Sequence, residues 1–242
     1  MNLSLRLYYF LKFILGRNIV NIKQSAEFKI SNTASLKHVR IFVATGAKLE
    51  IADNVKITNA VIYVEKNSTC VINDACIIGE IASNTTNIII NNGTLNIDEH
   101  TKLSLKRIWI RFGGKCMIGM YTNINSSSEI RCDEEVSIGN YNQISHRVRI
   151  WDTNTHNIIA KDDRRKLTKE YYPYYGYETT KPKTSPVIIG DDCWIGEKAS
   201  LLKGTKLGNE VIVGYNCLLT GQYIPDKTTV VSQSHINIIR RS

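Results

Sequence analysis

The sequence has no run long and apolar enough to span a bilayer. The longest apolar stretch near the start, "LRLYYFLKFILGR", is broken by Arg6 and Lys12 and falls short of the required length. No small-residue cleavage site follows it, which argues against a secretory signal. Cysteine pairs of the metal-binding CxxC type are missing as well. The six cysteines (Cys70, Cys76, Cys116, Cys132, Cys193 and Cys217) read as reduced, small, buried side chains of a cytoplasmic protein, and none sits in a context that suggests a nucleophile. The net charge is +9, yet no DNA- or RNA-binding motif accompanies it. Nucleic acid is therefore not an expected partner, and a metal is not required.

The usual periods of secondary structure are also absent. Neither 2.0 nor 3.6 describes residues 185–221, "SPVIIGDDCWIGEKASLLKGTKLGNEVIVGYNCLLTG". An aliphatic residue recurs there every six positions: Ile189, Ile195, Leu201, Leu207, Val213 and Leu219. A six-residue repeat is the mark of a parallel β-helix. Three hexapeptides close one triangular coil, and coils stack at about 4.8 Å. Ile189 is expected to stack on Leu207, and Ile195 on Val213. Two positions before each aliphatic residue the side chain is small or β-branched: Val187, Cys193, Ala199, Thr205, Val211 and Cys217. These fit a crowded corner.

The frame extends upstream. Ile118, Ile124 and Ile130 are six apart, and so are Ile138, Ile144 and Ile150, after a two-residue offset at Asp133–Glu135. Ile30, Leu36 and Phe42 keep the period too, whereas between 80 and 110 it is weak. The expected fold is all-β: a parallel β-helix of hexapeptide repeats with a short N-terminal helix and a long inserted loop. Its segments are an amphipathic helix at 1–18, N-terminal coils at 19–152, the loop at 153–184, C-terminal coils at 185–232 and a tail at 233–242. The basic helix either caps the open end of the solenoid or rests on an anionic membrane surface through residues 1–16. The loop is rich in charge and carries Tyr171, Tyr172, Tyr174, Tyr175 and Tyr177. These either pack on one another or offer stacking faces to a sugar.

The hexapeptides, the segment "PVIIGDDCWIG" and the exit "IPDKTTVV…IIR" resemble the hexapeptide-repeat acyltransferases. "IWDTNTH" (150–156) resembles the D-x-D-x-H stretch of polysaccharide and sugar O-acetyltransferases, with Asn154 in place of the second acid. The resemblance implies a left-handed coil, acetyl-CoA as co-substrate and a homotrimer with the cofactor between neighbouring helices. It also implies His156 as catalytic base, Asp152 as its partner acid and Trp194 beside the thioester. Gly196, Gly214, Tyr215, Thr220 and Arg240 match cofactor positions. Asn154, Tyr171, Tyr172, Tyr174 and Tyr175 are candidates for acceptor contact. The implied reaction moves an acetyl group to a hydroxyl of a bacterial surface-polysaccharide sugar, capsule or O-antigen, as polymer or lipid-linked unit. It would take place in the cytoplasm or at the inner face of the membrane. A small soluble sugar or antibiotic as acceptor, or a non-catalytic β-helix binding module, are the competing readings. His156 falls six residues after Ile150, so an unbroken frame would point it inward. The loop begins there, and the imidazole is expected to project outward.

Overall fold

The computed structural model describes residues 16–80, 85–174 and 178–233. Residues 1–15, which carry the expected N-terminal helix, lie outside them, as do Tyr175, Tyr177 and Arg240. The helix does not run to residue 18, because Gly16 and Arg17 form a turn and the first strand starts at Ile19.

The chain winds as a parallel β-solenoid whose strands pair coil to coil on three faces. Face one holds β1 (Ile19–Ile22), the second half of β3 (Ser35–Val43), the second half of β5 (Lys56–Val64) and the first halves of β8 (Thr86–Ile97) and β10 (Arg107–Ile118). It continues through β12 (Glu129–Cys132), β15 (Arg149–Trp151), β18 (Ser200–Leu202) and β21 (Leu218–Thr220). Face two holds β2 (Glu27–Ile30), β4 (Lys48–Ile51), β6 (Ser68–Ile72) and the second halves of β8 and β10. Above these lie β13 (Glu135–Ile138), β16 (Val187–Ile189), β19 (Lys206–Leu207) and β22 (Tyr223–Ile224). Face three starts with the first halves of β3 and β5, followed by β7 (Ile77–Ile78), β9 (Lys102–Leu103) and β11 (Asn123–Ile124). It ends with β14 (Gln143–Ile144), β17 (Trp194–Ile195), β20 (Ile212–Val213) and β23 (Thr229–Val230).

The prism interior is a stack of aliphatic side chains. Ile189 pairs with Leu207 and Ile195 with Val213, as the period requires. Each is at most 3% exposed. A fully buried Ile or Leu contributes about 1.5–3 kcal/mol, so each rung adds to a continuous core. The corner set Val187, Cys193, Ala199, Thr205, Val211 and Cys217 is buried as well. All six cysteines are free and buried, and burial pushes the Cys70 thiol up to about 12. Gly196 is needed for coil spacing: a Cβ there would stand 2.8 Å from the backbone carbon of Gly214 and from the Val213 carbonyl oxygen.

The six-residue frame fails where strands turn a corner without ending. β8 and β10 are each 12 residues long and alternate with a period of two on both faces they cross. Phe42 is a related departure. His38 has a positive φ of 55° and shifts the alternation within β3. Val39, Ile41 and Val43 then face inward, and Phe42 lies outward against Tyr63 with ring centroids 5.7 Å apart.

β15 ends at Trp151 on face one, and β16 opens at Val187 on face two. The insertion between them therefore leaves at the corner joining these faces. It contains a helix that its sequence pattern did not suggest, α1 (Lys161–Glu170), with no buried residue. Asp162 and Asp163 in its first turn and Lys169 in its last suit the helix dipole. Leu167 is its single large apolar side chain, which is why no amphipathic period was visible.

Candidate active site

The base of the insertion is closed by an antiparallel bridge between Thr153 and Thr184. The Asn154 N–H donates to the Lys183 carbonyl at 3.0 Å, and the Ser185 N–H to that of Asp152 at 2.9 Å. His156 stands just beyond this neck. Its side chain is 51% exposed, so it projects outward and the inward frame breaks there.

The imidazole is not oriented by Asp152. His156 Nδ1–H donates to Glu178 Oε1 at 3.0 Å. Glu178 is 2% exposed and also accepts from Asn157 Nδ2 at 2.8 Å and Arg164 at 3.0 Å. Burial alone would raise the Glu178 carboxyl. The bonds from Asn157, His156 and Arg164 together outweigh it and hold the group below the usual carboxylate range. An ionised Glu178 accepts at Nδ1 and leaves Nε2 as the imidazole's basic nitrogen. Arg164 also donates to the Asn157 carbonyl at 2.8 Å, which ties α1 to the same carboxylate. Arg164 is thus spent on holding the loop together. Neither Glu178 nor Arg164 lies in any recurring spacing, and their pairing exists only once the loop has folded.

Asp152 has a different task, which corrects the expectation that it serves His156. It is completely buried. Its Oδ2 accepts the N–H groups of Glu134 and Glu135, both at 2.7 Å, and its Oδ1 accepts that of Asp133 at 2.8 Å. These are the residues of the two-residue offset, the last of which opens β13 opposite Lys115. Beside them, Arg111 makes a two-pronged pair with Asp133 at 2.9 and 2.7 Å. Arg111 and Arg131 then hold residue 155: Arg111 donates to the Thr155 carbonyl at 3.3 Å, and Arg131 to its hydroxyl at 3.1 Å.

The other expected site residues lie elsewhere. Trp194 is on face three, 59% exposed, paired in register with Gln143 and Ile212. Ile195 takes the inward slot beside it. Gly196 and Gly214 follow at the corner between faces three and one. Tyr215 is exposed there and accepts from Lys198 Nζ at 2.6 Å. Thr220 ends face one, where its N–H donates to Gln222 Oε1 at 2.9 Å. In a three-sided prism, the corner carrying His156 is opposite face three. One chain therefore does not bring His156 and Trp194 together. Asn154, Tyr172 and Tyr174 are exposed on the insertion and Tyr171 is half-buried. Among the described residues no cluster of His, Cys, Asp and Glu could hold a metal, and no helix is long and apolar enough to cross a membrane.

Residues 186–221 match the family model of the bacterial transferase hexapeptide (six repeats). These residues carry the repeats of the hexapeptide-repeat transferases. A similar protein is the putative lipopolysaccharide biosynthesis O-acetyl transferase WbbJ of Escherichia coli, 29% identical over 141 residues that cover 58% of this chain and 68% of WbbJ. A probable acetyltransferase of Mycobacterium tuberculosis is 28% identical over 122 residues. That match covers 50% of this chain but only 34% of the longer relative. Among solved structures, the polySia specific acetyltransferase NeuO aligns with a TM-score of 0.48 and 17% identity, over 86% of this chain and 80% of NeuO.

Proposed function

We propose that this hexapeptide-repeat protein is an O-acetyltransferase that moves an acetyl group from acetyl-CoA to a hydroxyl of a surface-polysaccharide sugar. The observation that carries the reading is the His156–Glu178 pair. An outward imidazole whose Nδ1–H is fixed by a buried carboxylate is suited to take a proton from a sugar hydroxyl at Nε2. The same nitrogen can then return that proton to the departing thiolate. Acetyl-CoA supplies the activated acetyl group as a thioester. Trp194, Ile212 and Tyr215 form an exposed apolar strip that fits a pantetheine arm, with Lys198 beside it. The indole N–H of Trp194 is a candidate donor to the carbonyl oxygen as charge builds there. The similarity to WbbJ supports a polysaccharide-related acceptor.

The separation of His156 from Trp194 within one chain supports a homotrimer in which neighbouring copies supply the two side chains. Six buried free thiols fit a cytoplasmic setting.

The test is incubation of the purified chain with acetyl-CoA and candidate glycans, following thiol release and acetyl gain by mass spectrometry. His156→Ala is expected to lower kcat about 10²–10⁴-fold. Wild-type turnover by that variant would remove His156 from the mechanism. A complete lack of thiol release by the wild-type chain would favour a binding module.

A further inference from the structure

We propose that a grid of outward side chains on face one binds an acceptor glycan bearing carboxylates and presents it to His156. The inference rests on the O-acetyltransferase reading only for what happens after binding. Three successive rungs, β10, β12 and β15, place side chains in register. One column is Arg107, Glu129 and Arg149, and the next is Trp109, Arg131 and Trp151. Rungs are about 4.8 Å apart, so the grid is about 10 Å along the solenoid axis.

Its charge is unbalanced. Glu129, 7% exposed, is the single carboxylate in these two columns. It pairs with Arg107, with Arg131 at 3.3 Å and with Arg149 at 4.0 Å. One negative charge faces three guanidinium groups, which leaves an excess of two positive charges. Holding like charges together costs free energy, and a β-solenoid needs no such cluster to fold. The guanidinium of Arg131 also lies 4.1 Å from the Trp151 ring centroid and 5.8 Å from that of Trp109. A flat ring suits the apolar face of a sugar, and a guanidinium accepts the planar fork of a carboxylate.

The indole N–H of Trp109 donates to Asn91 Oδ1 at 3.1 Å, which fixes that ring on the face. The grid also leads to the base. Arg131 holds the Thr155 hydroxyl, and His156 is the next residue. Arg111 and Arg131 are committed to that neck. Arg107 pairs with Glu129, and Arg149 Nη1 donates to the Ser127 and Arg147 carbonyls; with side chains 30% and 35% exposed, the two keep guanidinium edges that can meet a ligand.

The experiment uses the full chain without acetyl-CoA, so it fails separately from the acetyl-transfer reading, which is tested by thiol release. Oligogalacturonate and its neutral methyl ester are titrated by calorimetry and by tryptophan fluorescence. The acid form is expected to bind at least tenfold more tightly than the ester, and more weakly as salt rises. Arg107→Gln with Arg149→Gln should reduce binding of the acid form at least tenfold while the circular dichroism spectrum is retained. Trp151→Ala, which removes the ring beside Arg131, should weaken it several-fold. Equal affinity for acid and ester, or full affinity in the double arginine variant, overturns the proposal. So does inorganic phosphate that competes as strongly as the oligosaccharide, because the grid would then be an anion site with no use for sugar. Dissociation of an oligomer by the arginine substitutions would reassign the face to contact between copies.

Discussion

Asp152 offers a prediction whose size follows from the structure. It is fully buried, and burial pushes its carboxyl up to about 6 against the pull of the N–H groups of Asp133, Glu134 and Glu135. The ordinary value is 3.8. The native state therefore holds a proton more tightly than the unfolded chain, and stability from this group is greatest below pH 3.8. It is lost as pH rises through about 6. Two pKa units correspond to about 3 kcal/mol at 1.36 kcal/mol each. Asp152→Asn cannot titrate. The unfolding free energy of the wild type minus that of Asp152→Asn should fall by about 2 kcal/mol between pH 4 and pH 7, since the unfolded group is already partly ionised at pH 4, measured by urea unfolding across that range. Asp152→Ala should be the more damaging change at every pH, since three buried N–H groups lose their acceptor at about 1–3 kcal/mol each. A wild-type-minus-Asn difference that stays constant with pH would show that the N–H groups keep the carboxylate ionised, and would refute the dominance of burial.

Three further outcomes follow from the site. Glu178→Gln should lower kcat for thiol release about 10–100-fold and populate the other imidazole tautomer in nitrogen-15 NMR; Arg164→Ala, which removes one of the bonds to Glu178 and the tie of α1 to Asn157 but leaves the carboxylate beside Nδ1, should leave the tautomer in place, and an unchanged tautomer in Glu178→Gln would reduce Glu178 to a loop anchor. Co-expression of His156→Ala chains with Trp194→Ala chains should restore part of the activity that each lacks alone, if the two side chains meet between copies; full inactivity of well-folded mixed oligomers would refute the shared site. Tyr172→Ala with Tyr174→Ala, both exposed on the insertion, should raise the acceptor KM several-fold and leave the KM for acetyl-CoA unchanged; an equal rise in both would remove the loop from acceptor choice.

How much of this was legible in the sequence depends on the range of the interaction. The coils from Ile189 to Leu219 could be read directly, because an inward residue every six positions is local information and the stack repeats it. Phe42 could not be placed correctly, because one left-handed residue at His38 shifts the alternation without leaving a trace in the hydrophobic spacing. The Asp152 position was visible and its task was not. Its partners are N–H groups on the preceding coil, and nothing in "IWDTNTH" points at residues 133–135. Glu178 was missed for the same reason: it joins His156 across 22 residues of aperiodic chain. Trp194 was placed outward correctly because its neighbour Ile195 had to face in.

The two breaks in the repeat turn out to be one construction. The offset at Asp133–Glu135 and the insertion after Asp152 meet at the same corner, one coil apart. Asp152 fills the N–H groups that the offset exposes, Thr153 donates to Asp133 at 2.7 Å, and Thr184, on the returning strand of the neck, donates to Glu134. Arg111 spans from Asp133 to Thr155. A regular corner, such as that of Asn140, offers one N–H group to a half-buried carboxylate, that of Asp191; it does not offer three N–H groups in a row and buried carboxylates for a loop to grip. The offset supplies both, and so it fixes the neck from which His156 projects. Irregularity in a repeat of this kind marks the place where a side chain is aimed, and here the side chain is the proposed base.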